Sequence, residues 1–537
     1  MPNEFNPTVL VAGGGPTGLM AALELKRFGI AVRIVDEADG PATTSRAMGI
    51  QARTLEEMEL RGLADEFVRL GNHATGGDIY GDGKRLARID FARIESRYNY
   101  LLFLSQTETE RILREALEAE GAAVEWGVKM AAFAQHPNGI TATLEHLDGQ
   151  LEELNVAYMI DAEGAHSIVR GSLGLDFKGS TFSQNYVLGD VHIDSQLANT
   201  DFHIFSSEHG FMGLFPLGGS EFRMVATNPS AEQPDAAQSN DAPPTLEQLQ
   251  SIYDQRSHVA ARLRQMTWSS WFHINSRMVS RLRVGRIFLA GDAAHIHSPA
   301  GAQGMNTGIQ DAINLGWKLA FVSQAKAAEE LLDTYEQDRL PVMRSIIHRT
   351  EGLTEIVGTS SSIMRSFFLH VVPWLASADF VQETATARIS QISLNYRNSP
   401  ISDEHFADGS LLAGDRVPDS SLRPANGTGE GEAIRLFSLL NPSRFTLLAA
   451  NFADPAPALE KISQSISPWQ DMIDVVVIQP PQDETAKQFQ HIFGLKASIT
   501  LVRPDAYVGF RGGEASIADL ATYCKRWFSP AVEQRAA

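Results

Sequence analysis

A single cysteine, Cys524, stands in this chain of 537 residues. One thiol cannot close an internal disulfide, complete a Cys-x-x-Cys redox pair or assemble a multi-cysteine zinc site. Basic charge is short as well: 45 Lys and Arg face 65 Asp and Glu, a formal net charge of −20. That field repels phosphate backbones and anionic lipid, so neither a nucleic-acid nor a membrane partner is expected. Long hydrophobic runs are missing. The most apolar stretch, residues 367–376 (FFLHVVPWLA), is about half the ~20 residues that cross a bilayer and contains His370 and Pro373. The opening MPNEFNPTVLVAGGG puts an acidic side chain ahead of a short apolar run with no basic segment, which is not a secretory-signal pattern. A reducing, cytoplasmic setting is therefore expected. Glycine (43) and proline (24) sit near average usage, which excludes fibrous and low-complexity architectures. The length suggests three or four domains of roughly 150 residues.

What is present begins with a β-α-β unit. Residues 8–12 read as an apolar strand, 19–27 as an amphipathic helix closed by Gly29, and 31–35 as a second strand, so the chain opens as a doubly wound α/β layer. Residues 53–61 and 105–120 add helices, the second opening on a Ser105-x-x-Glu108 capping box. Strands are expected at 139–145, 155–160 and 187–193, and 202–225 reads as a separate sheet region. The stretch 228–244 has four prolines and almost no bulky apolar residue, the composition of a mobile loop within that region. A strand at 286–290 and helices over 305–326 and 331–348 return the chain to its first layer. Strands at 445–449 and 474–478 and a helix at 515–528 make the tail a small α/β domain.

Gly13-Gly14-Gly15-Pro16-Thr17-Gly18 is a Gly-x-Gly-x-x-Gly turn between strand and helix, with Asp36 closing the next strand about twenty residues on. Such glycines allow a tight turn and the close approach of a pyrophosphate. The helix N-terminus offers N–H donors, and Asp36, or Glu37 beside it, can accept from ribose hydroxyls. Gly13, Gly15, Thr17, Gly18, Asp36 and Glu37 thus make a dinucleotide site. No second turn of this kind occurs, so a stable separate nicotinamide domain is not expected.

Downstream run Gly291-Asp292-Ala293-Ala294-His295 and Pro299-Ala300-Gly301-Ala302-Gln303-Gly304-Met305-Asn306-Thr307-Gly308, then Asp311, Asn314 and Trp317-Lys318-Leu319. Between the two lies Asp161-Ala162-Glu163-Gly164-Ala165-His166-Ser167-Ile168-Val169-Arg170. In these blocks the chain resembles the single-component FAD-dependent aromatic hydroxylases, the p-hydroxybenzoate hydroxylase-like group. Its length, Gln106-Thr107-Glu108-Thr109-Glu110-Arg111, Leu394-Asn395-Tyr396-Arg397 and Leu501-Val502-Arg503-Pro504-Asp505 resemble the phenol, chlorophenol and polyketide hydroxylases within it. There is one departure: Glu163 stands where the family motif has Asp, with Asp161 two residues earlier as a candidate to compensate.

The resemblance implies a Rossmann-like FAD-binding domain (residues 1–75, 100–180 and 281–345) with an inserted β-sheet substrate domain (76–99 and 181–280). A helical connection (346–400) and a C-terminal thioredoxin-like domain (401–537) would follow, the latter without the cysteine pair of thiol exchange. It implies FAD as cofactor, NADPH or NADH as transient electron donor, O2 and a small aromatic substrate as further partners, and a homodimer. Asp292 would contact the ribityl or pyrophosphate part of FAD. The turn from Gly301 through Gly304 and Met305 to Asn306 would meet the flavin pyrimidine edge, where the following helix would stabilise an anionic reduced flavin. Arg46 would reach the phosphates, Gln106 the flavin and Val128 the adenine, with Pro299 in the flavin loop. The implied reaction transfers the distal OH of a flavin C4a-hydroperoxide to an electron-rich ring carbon.

Such chemistry needs no nucleophilic Ser or Cys, only an apolar pocket with a few polar handles. Met48, Ile50, Phe211, Met212, Phe215, Pro216 and Pro299 are the candidates for substrate contact. The proton-handling group stays open among His203, Tyr80, Tyr98 and Arg223, and no catalytic residue is assigned. His295 and His297 have no carboxylate nearby in sequence except Asp292, so no metal is expected. Cys524, at helical spacing from Leu520 and Trp527, reads as buried and apolar. Baeyer–Villiger insertion or epoxidation on the same scaffold is the alternative, and a non-catalytic flavin carrier a remote one. Trp268-Ser269-Ser270-Trp271 does not fit the Trp-x-Trp-x-Ile-Pro signature of flavin halogenases.

Overall fold

The computed structural model describes residues 6–43, 47–228, 242–298, 301–358, 379–406, 408–424 and 433–530. Arg46, Pro299 and most of the proline-rich 228–244 stretch lie outside them, as do residues 367–376. Six short strands form the first sheet, in the order Arg283–Val284, Ile287–Leu289, Tyr158–Asp161, Val9–Ala12, Val32–Asp36, Val124–Trp126. All neighbours are parallel except the first pair. The central strand is VLVA with every residue buried, the unbroken apolar pattern that a parallel sheet covered on both faces requires. Val9 and Val11 pack under helix Pro16–Arg27 and helix Gly304–Ser323. Leu10 and Ala12 face a three-stranded antiparallel sheet, Val128–His136, Gly139–His146 and Leu151–Val156.

The single strand expected over 155–160 is two. Leu151–Val156 ends in the antiparallel sheet, and after Ala157 the chain switches to the parallel one as Tyr158–Asp161. Both halves carry strand-forming residues, so periodicity could not mark the crossing.

Helix Gly304–Ser323 is buried from Asn306 to Phe321. It crosses Pro16–Arg27 at small residues: a Cβ on Gly308 would lie 2.3 Å from Thr17 Oγ1, and one on Gly316 2.7 Å from Glu24 Cβ. Two glycines eight residues apart thus let the two helices that leave the glycine turns touch.

An eight-stranded sheet runs His295–Ile296, Ala261–Met278, Lys178–Ser195, Glu221–Thr227, Gly210–Gly218, Asp201–Ser207, Gly76–Gly81, Lys84–Asp90. Helix Leu246–Arg256 covers one face through Leu249, Ile252 and Tyr253. The tail builds a seven-stranded mixed sheet centred on Ser498–Val502, Phe445–Ala450 and Ile473–Gln479. Helices Pro455–Ile466 and Ile517–Trp527 lie on one side of it and Ala486–Phe493 on the other. Cys524 is fully buried in the last long helix, and burial pushes its thiol up to about 12, which makes it an apolar packing residue.

Candidate active site

Two turns meet at the C-terminal ends of the central parallel strands, where ligands sit in open α/β sheets. In the first, Gly13 holds φ at +108°, and a Cβ there would lie 2.2 Å from the Ala162 carbonyl oxygen. A Cβ on Gly18 would meet the Gly13 carbonyl at 1.9 Å. Gly15 differs: beyond its own residue and its chain neighbours, nothing lies within 4 Å of an added Cβ, so the space before the helix N-terminus is open. The first and third glycines are demanded by the fold, while at the second the fold itself leaves room. Asp36 Oδ2 accepts from Gly14 N at 2.6 Å and Oδ1 from Ala38 N at 2.8 Å, which uses two of the carboxylate's four lone-pair sites. Glu37 is exposed, 3.6 Å from Lys129, and buried Val128 begins the adjoining strand. These residues fit the pyrophosphate and adenosine half of FAD. Gly13→Ala is expected to lower FAD affinity about a hundredfold or more, measured by flavin fluorescence on titration, because Ala must take a left-handed φ and clash with Ala162. Unchanged affinity would remove the turn from the site.

In the second turn Gly291 has φ +59°, and its backbone N donates to Asp311 Oδ2 at 3.1 Å. Asp311 also accepts from His295 Nε2 at 2.7 Å and Arg339 Nε at 2.6 Å. Burial opposes its ionisation, but Arg339 and His295 outweigh that and hold the carboxyl below the usual range. Asp292 is exposed between buried Gly291 and Ala293. Arg170 ties this turn to the 161–170 segment, donating to the carbonyls of Ala293 at 2.9 Å and Ala165 at 2.6 Å.

That segment accounts for the Glu163 departure. Glu163 Oε2 accepts from Ile168 N at 3.0 Å and Val169 N at 3.1 Å, so the longer side chain folds back to cap the next short helix. Asp161 is fully buried and accepts from Ser167 Oγ at 2.7 Å. Burial first, then the Glu163 carboxylate, pushes its pKa up to about 7, against 3.8 for an ordinary Asp. The folded state therefore keeps a proton that the unfolded chain has released. The stabilising contribution of this group is present below an unfolded value near 3.8, declines as pH rises toward 7, and is gone above it. At ~1.4 kcal/mol per pH unit the decline totals about 4 kcal/mol. Asp161→Asn is expected to flatten the fall in Tm between about pH 5 and pH 8; a fall as steep as the unsubstituted protein's would refute this assignment.

At the third corner Gly301 has φ +82°, and Gln51 Nε2 donates to its carbonyl at 2.7 Å. Buried Asn306 accepts from Gln51 N at 2.9 Å and donates to the Gly49 and Ala302 carbonyls at 2.8 and 2.7 Å. Its amide is thus spent on holding residues 49–51 against the 301–306 turn. Gly304 opens the long helix, and Met305 follows half-buried. Met48 and Ile50 are buried on either side of Gly49, and Gln106 N donates to the Ala47 carbonyl at 3.1 Å. Gln51 and Arg339 were not singled out by the sequence. His297 has Nδ1 on the Ser298 carbonyl at 2.8 Å and a buried Nε2 without a partner; burial pulls its pKa down to about 4.

The eight-stranded sheet turns one face to these corners. Phe215 lies 5.9 Å from Phe103, ring to ring, and Phe103 pairs with Gly49. Phe211 shares the face of Phe215. Met212 lies on the opposite face, in the core under helix Leu246–Arg256, and by register Pro216 belongs to that face too; neither joins the surface that looks toward the turns. The proton-handling candidates divide the same way. His203 and Tyr80 share the opposite face, where Tyr80 stacks on Phe205. Tyr98 is buried, and burial first, then the Glu59 carboxylate, raises its pKa far above normal. Only Arg223, paired across strands with Phe215, lies on the face toward the turns. Among the described residues no group of three or more His, Cys, Asp or Glu could hold a metal, and no helix is long and apolar enough to cross a membrane.

The chain belongs to the FAD-dependent aromatic-ring hydroxylases: residues 6–350 match the FAD binding domain and residues 410–531 the C-terminal domain of aromatic-ring hydroxylases. It is 34% identical to pentachlorophenol 4-monooxygenase of Sphingobium chlorophenolicum, over 94% of each chain. It is 33% identical to 6-methylpretetramide 4-monooxygenase of Streptomyces rimosus, over 97% of this chain and 93% of that one. The solved anhydrotetracycline hydroxylase of Streptomyces rimosus superposes with a TM-score of 0.77 at 28% identity, covering 97% of this chain and 99% of the other. The protein is accordingly an FAD-dependent monooxygenase of aromatic compounds with a Rossmann-like cofactor domain.

Proposed function

We propose that the enzyme hydroxylates a phenolic or polycyclic aromatic ring, with O2 as oxidant and NADPH or NADH binding transiently as electron donor. The observation that supports this best is the half-buried aromatic face around Phe215, joined through Phe103 and Gly49 to the 301–306 turn. The relatives named for pentachlorophenol and 6-methylpretetramide support the same substrate class. When bound, FAD supplies the hydride acceptor and the oxygen-activating centre.

In this reading the protein binds, orients and excludes water. Backbone N–H groups of the Gly13–Gly18 turn, with Gly15 leaving room, take the pyrophosphate; Asp36 or Glu37 takes the ribose and Val128 borders the adenine. Asp292 meets the ribityl end, with Arg46 and Gln106 as further contacts. Gly301, Gly304, Met305 and Asn306 form the pyrimidine edge, where the N-terminus of a twenty-residue helix favours negative charge. Met48, Ile50, Phe211 and Phe215 border the substrate. Residues 1–75, 100–180 and 281–345 make the cofactor domain, 76–99 and 181–280 the substrate sheet, 346–400 a connection and 401–537 a thioredoxin-like domain, in a cytoplasmic homodimer.

The deciding experiment follows NADPH and NADH oxidation under 18O2 across phenols, chlorophenols and anthraquinone-type polyketides, with peroxide quantified. Ligand-accelerated oxidation with label in the ring supports the reading. Flavin-loaded protein that yields only peroxide with every compound would overturn the substrate class.

A further inference from the structure

The strand register sets four side chains in one row across the face turned toward the cofactor corners: Phe215, Arg223, Asp190 and Trp268. The two rows on one side of it are uncharged, Ile204, Gly213, Val225, Leu188 and Ser270, then Tyr186, Thr227 and Phe272, while the row on its other side, toward the strand ends, holds Glu221 and His192. Arg223 and Asp190 are the charged groups of the row itself, with Glu221 one row out toward the strand ends. They form a two-pronged pair, Arg223 Nε to Asp190 Oδ1 at 2.7 Å and Nη2 to Oδ2 at 2.8 Å. The Arg223 side chain is 2% exposed, that of Asp190 13%, and the guanidinium lies 5.8 Å from the Trp268 ring.

Resting on the monooxygenase reading above, we propose that this pair is a specificity determinant that admits uncharged phenolic rings and refuses rings bearing a carboxylate. The cation of this surface is already neutralised, in a fork geometry that leaves an arriving carboxylate no equivalent partner. The more exposed member is the anion, so an acidic ring would meet like charge in a partly dehydrated space, where such repulsion is strong. A phenol O–H meets no such penalty and can donate to the carboxylate's remaining lone pairs.

The test compares phenol with 4-hydroxybenzoate and 4-hydroxybenzylamine on FAD-loaded protein, reading Kd from the perturbation of flavin absorbance. The unsubstituted enzyme is expected to bind phenol at least about tenfold more tightly than the benzoate. Asp190→Asn, which takes the carboxylate away from the guanidinium, is expected to shift that ratio toward the benzoate by about tenfold or more. If it fails to fold because its buried cation has lost its carboxylate, the reciprocal Arg223→Met keeps the proposal open to refutation: it exposes the carboxylate and is expected to shift preference toward the amine. The double variant, with neither charge, should gain neither ligand, which separates charge from pocket size. Ratios within about twofold of the unsubstituted enzyme in both folded single variants would overturn the proposal. Flavin-loaded enzyme that binds and oxidises no phenolic compound of any charge would overturn the functional reading, and this inference with it.

Discussion

Asp311→Ala is expected to cost about 3–5 kcal/mol of stability and to weaken FAD binding by about tenfold or more even where the variant stays folded. Three donors converge on that carboxylate: Gly291 N, His295 Nε2 and Arg339 Nε. Arg339 is fully buried, and its other donors go to the Tyr396 hydroxyl at 2.8 Å and the Thr307 carbonyl at 3.0 Å, both neutral. Without Asp311 a guanidinium stays in the core with no carboxylate beside it, which is the expensive way to break a buried pair. The binding loss is a separate consequence, since Gly291 loses the acceptor that fixes the turn carrying Asp292. Thermal unfolding by circular dichroism reads the first effect. A flavin fluorescence titration near 10 °C, below the variant's transition, reads the second. Asp311→Asn, which keeps one acceptor oxygen, should fall between the two proteins. A folded Ala variant with unchanged Tm and Kd would show that the turn is held by other contacts.

Asp505→Ala, in the tail domain, is expected to destabilise the cofactor domain by a comparable 3–5 kcal/mol. Asp505 Oδ2 accepts from Trp317 Nε1 at 3.2 Å and Asn314 Nδ2 at 3.2 Å, and from Arg503 Nη2 at 2.6 Å. Arg503 reaches on to Asp338 at 2.9 Å, which also takes Lys318 Nζ at 2.7 Å. Every one of these groups is buried. Trp317, Asn314 and Lys318 sit on the same helix as Asn306 and Asp311, so the tail domain braces the helix that opens at the 301–306 turn. Apolar contact runs in parallel, with Trp317 edge-on to Phe445 at 5.5 Å. Flavin release and loss of far-ultraviolet ellipticity should therefore shift down together as one transition. A split melt with flavin release unmoved would show that the two domains unfold independently.

The glycine-turn half of the candidate site was largely legible because its geometry is local. A glycine turn, the helix that follows and a carboxylate at the next strand end lie within about thirty residues, and their geometry follows from backbone rules that any such turn obeys. Asp311 and Asn306 were visible as part of a motif, but their partners were not: Arg339 is 28 residues away and Gln51 is 255. The substrate side was less legible. Phe211, Met212, Phe215 and Pro216 are neighbours in one strand, and sequence could not say which alternate set faces the cofactor. The sheet separates the two sets: helix Leu246–Arg256 covers Met212, while Phe103 meets Phe215.

From the residues alone came the α/β class, the dinucleotide turn and the buried, apolar reading of Cys524, each carried by spacing or composition over short distances, while the flavin was implied by the resemblance to a family. Tertiary structure alone decided how Glu163 is used, that Leu501–Asp505 closes onto Asn314–Lys318, and that Arg223 is already matched by Asp190. The physical reason is the same in each case. A buried charge or amide is defined by the partner that desolvates with it, and that partner is set by how layers pack, which no local pattern of the chain encodes.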